Sequence, residues 1–107
     1  IESEDLRIIA SQAADEMLNI SGIQSSYVLY RTGDIVNISA RSMGAMNVQL
    51  IMEMLGGGGH QTMAAAQLSN ISVSDAKVRL LQVIDQFYAQ INAQEEAPQE
   101  RPEEMQN

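Results

Sequence analysis

Cysteine and tryptophan are absent from this 107-residue chain, histidine and phenylalanine each occur once, and proline occurs twice. Without cysteine there are no disulfides, no thiolate metal sites and no cysteine nucleophile, which fits a reducing compartment. Aromatic residues make up 4% of the chain, too few for the successive stacking platforms that long single strands use. Positive charge is scarce as well: six Lys and Arg stand against fourteen Asp and Glu, a net charge of −8. Duplex DNA or RNA needs a basic face, so duplex binding is not expected. A small anion held by a few directed donors remains open. No run reaches the roughly 18–20 apolar residues of a membrane helix, and the opening IESEDLR is acidic where a secretory signal is basic. Beginning at Ile1, the chain reads as a fragment of something longer.

What is present is a globular domain. Apolar residues account for 45% of the sequence, enough for one modest core but not two. The acidic surplus is uneven, because residues 95–107 hold five glutamates against Arg101 alone. That stretch contains both prolines and has no hydrophobic period. The expected division is a domain over 1–93 and an acidic disordered tail over 94–107.

Periodicity gives the elements. Leu6, Ile9, Ala10, Ala13 and Met17 recur at helical spacing over 4–19, with Glu4 and Asp5 where the helix dipole favours them. SSYVLYR (25–31) and DIVNISARS (34–42) are rich in strand formers and read as a hairpin about Thr32-Gly33. In the second strand Val36, Ile38 and Ala40 share one face, while Asn37, Ser39 and Arg41 share the other. Asn47 caps a short helix whose Val48, Ile51, Met52 and Leu55 keep helical spacing. MAAAQL (63–68) reads as a turn leading into a strand. Ser72 and Asp75 form a capping-box-like start for the longest helix, about 73–93, with Val73, Ala76, Leu80, Ile84, Phe87 and Ile91 on one face. The fold class is α/β, a small mixed sheet with helices packed on it.

The chemistry concentrates in LGGGGHQTMAAA (55–66). Gly56 suits a helix stop, but four consecutive glycines carry a backbone-entropy cost that a stop alone does not explain. Glycine runs occur where successive N–H groups face one concavity and hold a phosphate without lysine. His60 adds a side-chain donor at the end of the run. The preceding helix points its C-terminus here, and that end of the dipole disfavours anions. The loop's own amides, His60 or a turn near Thr62 would therefore have to hold the phosphate. No Lys-Ser/Thr follows, so this is not a Walker loop; no strand precedes it, so it is not a dinucleotide fingerprint. Arg41 at a strand end can grip phosphate bidentately, with Ser42 beside it. Ser39 and Asn37 are weaker candidates. Asp15, Glu16 and Asp75 lie on helix surfaces or caps and form no metal cluster, and no complete catalytic apparatus is evident.

ISARS (38–42), NVQLIMEMLGGGGH (47–60) and MAAAQL (63–68) resemble, in order and spacing, the DHH-associated C-terminal domain of the DHH phosphoesterase superfamily. The likeness covers most of residues 6–92. NVQLIME running into GGGGH, together with AADEML in the first helix, is similar to the GdpP/YybT-type cyclic-di-AMP phosphodiesterases. The exonuclease and oligoribonuclease relatives usually have AAG after the histidine element, where Ala66 stands here. The resemblance implies a substrate-binding lobe, in which Gly57, Gly58, Gly59 and His60 meet substrate phosphate with Arg41 and Ser42 alongside. His60 would also be an electrostatic stabiliser. It further implies an N-terminal DHH domain that holds manganese and performs hydrolysis, so that the fragment alone is inactive. The implied substrate is a cyclic or linear adenine dinucleotide. The implied whole protein is anchored in the membrane with this lobe on the cytoplasmic side, and is able to form a homodimer. A strand before the first helix is also usual in the family. Two other readings stand beside this one: a lobe binding short single-stranded nucleic-acid ends, and a non-catalytic interaction module using the last helix.

Overall fold

The computed structural model describes residues 3–96; the expected tail over 97–107 lies outside the described residues. Seven elements follow in order: α1 (Ser3–Met17), β1 (Ser25–Thr32), β2 (Ile35–Ser42), α2 (Val48–Glu53), β3 (Gly58–His60), β4 (Met63–Ser69) and α3 (Val73–Glu96). The strands form one sheet in the order β1-β2-β4-β3. Every pairing is antiparallel, where a mixed sheet was expected. Two of the three pairings follow from connectivity: β1–β2 and β3–β4 are tight hairpins, and each two-residue turn reverses the chain.

Local signals place most of these elements. The β1–β2 turn is Gly33-Asp34 rather than Thr32-Gly33, because Thr32 still pairs with Ile35. The Asn47 side chain accepts from the Gln49 and Leu50 amides at the start of α2. At the start of α3, Ser72 Oγ accepts from Asp75 N at 3.0 Å. That helix continues through Glu96, so 94–96 belong to it and not to a tail.

Residues 63–69 are strand throughout, with no leading helical turn. Alternate residues Ala64, Ala66 and Leu68 are buried while their neighbours are exposed. Pairing to β2 on one side and β3 on the other overrides the weak strand preference of alanine.

The core lies on one face of the sheet. Val36, Ile38, Ala40, Ala64, Ala66 and Leu68 meet α2 through Val48, Ile51 and Met52, and α3 through Ala76, Leu80 and Phe87. The first residue of the α3 stripe, Val73, is 38% exposed and outside this core. The opposite face receives α1. Its buried contacts are Ala10 and Ala14, whereas Ile9, expected on the packed stripe, is 51% exposed. Small residues let this helix approach closely enough for Ser26 Oγ to donate to the Ala14 carbonyl at 2.7 Å.

Candidate functional site

The polar face of β2 organises the site. Cross-strand register sets its side chains in rows. The first row is Ser26, Arg41, Met63 and His60; the second is Val28, Ser39, Ala65 and Gly58; the third is Tyr30, Asn37 and Gln67. Rows lie about 7 Å apart, two strand residues each, and neighbouring strands about 4.8 Å apart. The middle row carries Ser39, Ala65 and Gly58, three of the smallest residues available. It leaves a hollow between two polar ends, and α1 supplies a wall through Arg7 and Ser11. The resulting cavity measures about 320 Å³, at the lower end of small-ligand sites.

Arg41 is held in place from two sides. Its Nε donates to Asp15 Oδ1 at 2.9 Å and its Nη1 to the Ala40 carbonyl at 2.9 Å. The side chain is 9% exposed while that of Asp15 is 60% exposed. Part of the guanidinium is thus committed to positioning, while Nη2 has no hydrogen-bond partner among the described residues and Arg41 lines the cavity. His60 is exposed and lines the same cavity. It shares a row with Arg41, separated by Met63, which sets the two backbones about 10 Å apart by strand spacing. The Gln61-Thr62 turn behind it is braced: Thr62 O accepts from Ser42 N at 3.0 Å, Gln61 O from Val48 N at 3.1 Å, and Gln61 Nε2 donates to Gly44 O at 2.8 Å.

The four glycines divide by role. Gly56, at φ +85°, closes α2: its amide donates to Glu53 O at 3.0 Å and that of Gly57 to Met52 O at 2.8 Å. Gly57 and Gly59 lie against β4. A Cβ on Gly57 would overlap the Ala65 carbonyl oxygen, and one on Gly59 would come within 2.5 Å of Ala64 Cα. Gly58, like Gly56, meets nothing within 4 Å, but it lacks the positive φ of Gly56, so neither a described neighbour nor its backbone requires a glycine there. Its missing side chain deepens the cavity.

Several expected site residues are therefore relocated. Gly58, Gly59, His60 and Arg41 converge on one cavity; Gly57 and Ser42 do not line it. Gly57 is turned to the packing of β4. Ser42 follows Arg41 along a strand and so faces the other way, where its Oγ donates to Met46 O and accepts from Gly44 N. The run is also not a nest of convergent amides, since Gly58–His60 is extended strand, in which successive N–H groups alternate in direction. Conversely, Tyr30, Gln67 and Arg7 line the cavity without having been singled out in the sequence. The missed signal was strand alternation through 63–69, which puts Gln67 opposite Asn37. Among the described residues no three His, Cys, Asp or Glu stand together as a metal site, so these residues do not fit a manganese centre.

Fold and site together define an antiparallel sheet domain that offers a polar hollow, lined by Arg7, Arg41, His60 and two glycines, on one face. The profile of the DHHA1 domain family matches residues 4–90, and the chain belongs to that family. It is 48% identical over 82 residues to the cyclic-di-AMP phosphodiesterase PdeA of Listeria monocytogenes, covering 76% of this chain and 12% of that protein. It is 49% identical over 83 residues to the cyclic-di-AMP phosphodiesterase GdpP of Bacillus subtilis, covering 77% and 13%. The chain thus spans about an eighth of the length of these relatives. A solved structure of the pGpG-specific phosphodiesterase PggH of Vibrio cholerae aligns over 62% of this chain and 24% of its own, with 19% identity and a TM-score of 0.48.

Proposed function

We propose that this chain is the substrate-binding lobe of a DHH-type phosphodiesterase that hydrolyses cyclic-di-AMP or a related dinucleotide. The observation that carries the reading is the hollow itself: Arg41, His60 and the unobstructed Gly58 meet on one face of the sheet. Two of the six Lys and Arg of a strongly acidic chain, Arg7 and Arg41, line it. A phosphodiester there lies against bare backbone at Gly58, with the free Nη2 of Arg41 at one side and the imidazole of His60 at the other. The activity named for the relatives supports a dinucleotide as the ligand.

Hydrolysis belongs, in this reading, to a DHH domain elsewhere in a longer, membrane-anchored protein, where manganese supplies the activated water. A cytoplasmic lobe and a homodimer are parts of the same proposal. Residues of this lobe bind and orient; His60 also stabilises charge that develops on the phosphate. A platform for long single strands would need successive aromatic side chains, and among the described residues Tyr30 alone of the Phe, Tyr and Trp side chains lines the hollow.

The test uses the longer protein. His60→Ala lowers turnover of cyclic-di-AMP about 100-fold, the scale of a lost transition-state donor, with an unchanged thermal unfolding curve because the residue is exposed. Arg41→Ala raises KM strongly. Near-normal kinetics in both variants would overturn the proposal.

A further inference from the structure

The third row of the polar face has a feature that phosphate binding does not use. Asn37 Nδ2 donates to Thr32 Oγ1 at 2.9 Å and to the Tyr30 carbonyl at 3.4 Å. A carbonyl only accepts, so the Asn37 amide is fixed with its nitrogen toward β1 and its oxygen toward β4. That oxygen accepts from Gln67 Nε2 at 3.1 Å. The chain Tyr30–Asn37–Gln67 therefore sets the orientation of an amide that is itself exposed. Gln67 presents its Oε1 and the second hydrogen of Nε2 with no partner among the described residues. Gln67 lines the cavity in the row farthest from Arg41 and His60, and also a second pocket that shares Arg7, Tyr30 and Asn37 with it and is completed by Thr32 and by Glu4, which is paired with Arg7 at 2.9 Å.

We infer that Gln67, oriented by Asn37 and Thr32, is a base-reading residue that recognises adenine in the bound dinucleotide. The inference rests on the substrate-binding reading above and adds to it the residue that selects the base. The cavity is polar at both ends and small in the middle. This fits an elongated ligand with an anion at the Arg41, His60 and Gly58 end and a hydrogen-bonding heterocycle at the other, the ribose lying over Ser39 and Ala65. An amide pairs in two hydrogen bonds with adenine N6–H and N7. On the corresponding edge guanine offers two acceptors, O6 and N7, which two N–H groups would be needed to satisfy. One of the two hydrogens of Gln67 is already spent on Asn37, so guanine meets the Oε1 acceptor while adenine donates to it.

The experiment measures kcat/KM for cyclic-di-AMP and cyclic-di-GMP in the longer protein and in two variants. Gln67→Ala reduces the preference for the adenine substrate about tenfold, the discrimination of one bidentate contact. Gln67→Leu, which keeps the bulk without the amide, reduces it as far. Both keep a cooperative thermal transition, lowered at most by the cost of leaving the buried Asn37 oxygen without its Gln67 donor. A preference that moves less than twofold in Gln67→Ala, or that leucine restores, overturns the base-reading role while leaving the lobe's phosphate site intact. A wild-type protein that hydrolyses neither substrate, or whose hydrolysis is indifferent to both His60→Ala and Arg41→Ala, overturns the substrate-binding reading, and the base-reading role with it.

Discussion

On one face of β2, Val36, Ile38 and Ala40 are 0–1% exposed; on the other, Asn37, Ser39 and Arg41 are 6–8% exposed. By burial alone the two faces hardly differ. They differ in how their space is filled. The apolar face is packed by α2 and α3 with branched and long side chains, and its stability comes from removing that surface from water and closing voids. The polar face is covered by one helix with alanines at the contact, and its central row is serine, alanine and glycine. A hollow survives there whose polar groups are tied to each other, as Asp15 is to Arg41 and Asn37 to Gln67. The lesson is that a buried polar strand face in a small domain can mark an unfilled site and not a second core.

The sharpest way to break this contrast lies within the glycine run. Gly57→Ala drives a methyl group into the Ala65 carbonyl on the packed side. We expect a loss above about 4 kcal/mol, in the range reserved for severe overpacking, seen as loss of a cooperative melting transition. Gly58→Ala, one residue on, adds the same methyl group to open space. Its stability stays within about 0.5 kcal/mol of the parent, while KM for the dinucleotide rises because the floor is shallower. Equal damage from both substitutions would mean that the hollow is not open.

A smaller effect separates the faces of β2 itself. Ile38→Ala removes a side chain that is 1% exposed in the middle of the core and costs about 3 kcal/mol from lost transfer and residual cavity. Ser39→Ala, its neighbour on the other face, changes stability by less than about 1 kcal/mol. Chemical denaturation measures both. A serine substitution as costly as the isoleucine one would place a packed core on each side of the sheet.

Much of this arrangement is legible in the sequence, and what is not has physical reasons. The hairpin, the Asn47 cap, the Ser72 start of α3 and the two faces of β2 all follow from local propensity and period. The strand over 63–69 did not, because MAAAQL lacks branched residues and becomes a strand only through pairing on both sides. The Arg41–Asp15 contact spans 26 residues and leaves no local trace. Ser42 is different: period-two alternation already turns it away from Arg41, and adjacency in sequence was taken for adjacency in space. The glycine run raised the right question, but only the register of β3 on β4 separates Gly57 and Gly59, which the fold requires, from Gly58, which it does not.

The smallest expected effect concerns Tyr27, which packs on the apolar face as Gln67 lines the polar one. Its Oη is sealed from solvent and makes no hydrogen bond among the described residues, whereas Gln67 lines the open hollow. Burial pushes the Tyr27 phenol above its ordinary value of 10.0; the Ser25 side chain, outside hydrogen-bond geometry, works the other way, and Tyr88 adds to the rise. The folded protein therefore keeps this proton at a pH where the unfolded chain releases it. Stability is then independent of this group below the ordinary tyrosine range and declines as pH rises through it, since the native state binds more protons there. Tyr27→Phe removes a hydroxyl that has lost water and gained nothing, so stability at pH 7 should hold or rise by up to about 1 kcal/mol. The alkaline decline should flatten in the same variant. Urea unfolding at pH 7 and at pH 10.5 measures both. A loss above about 1 kcal/mol at pH 7 would mean that the oxygen has a partner after all, and that the apolar face is not sealed as the polar face is open.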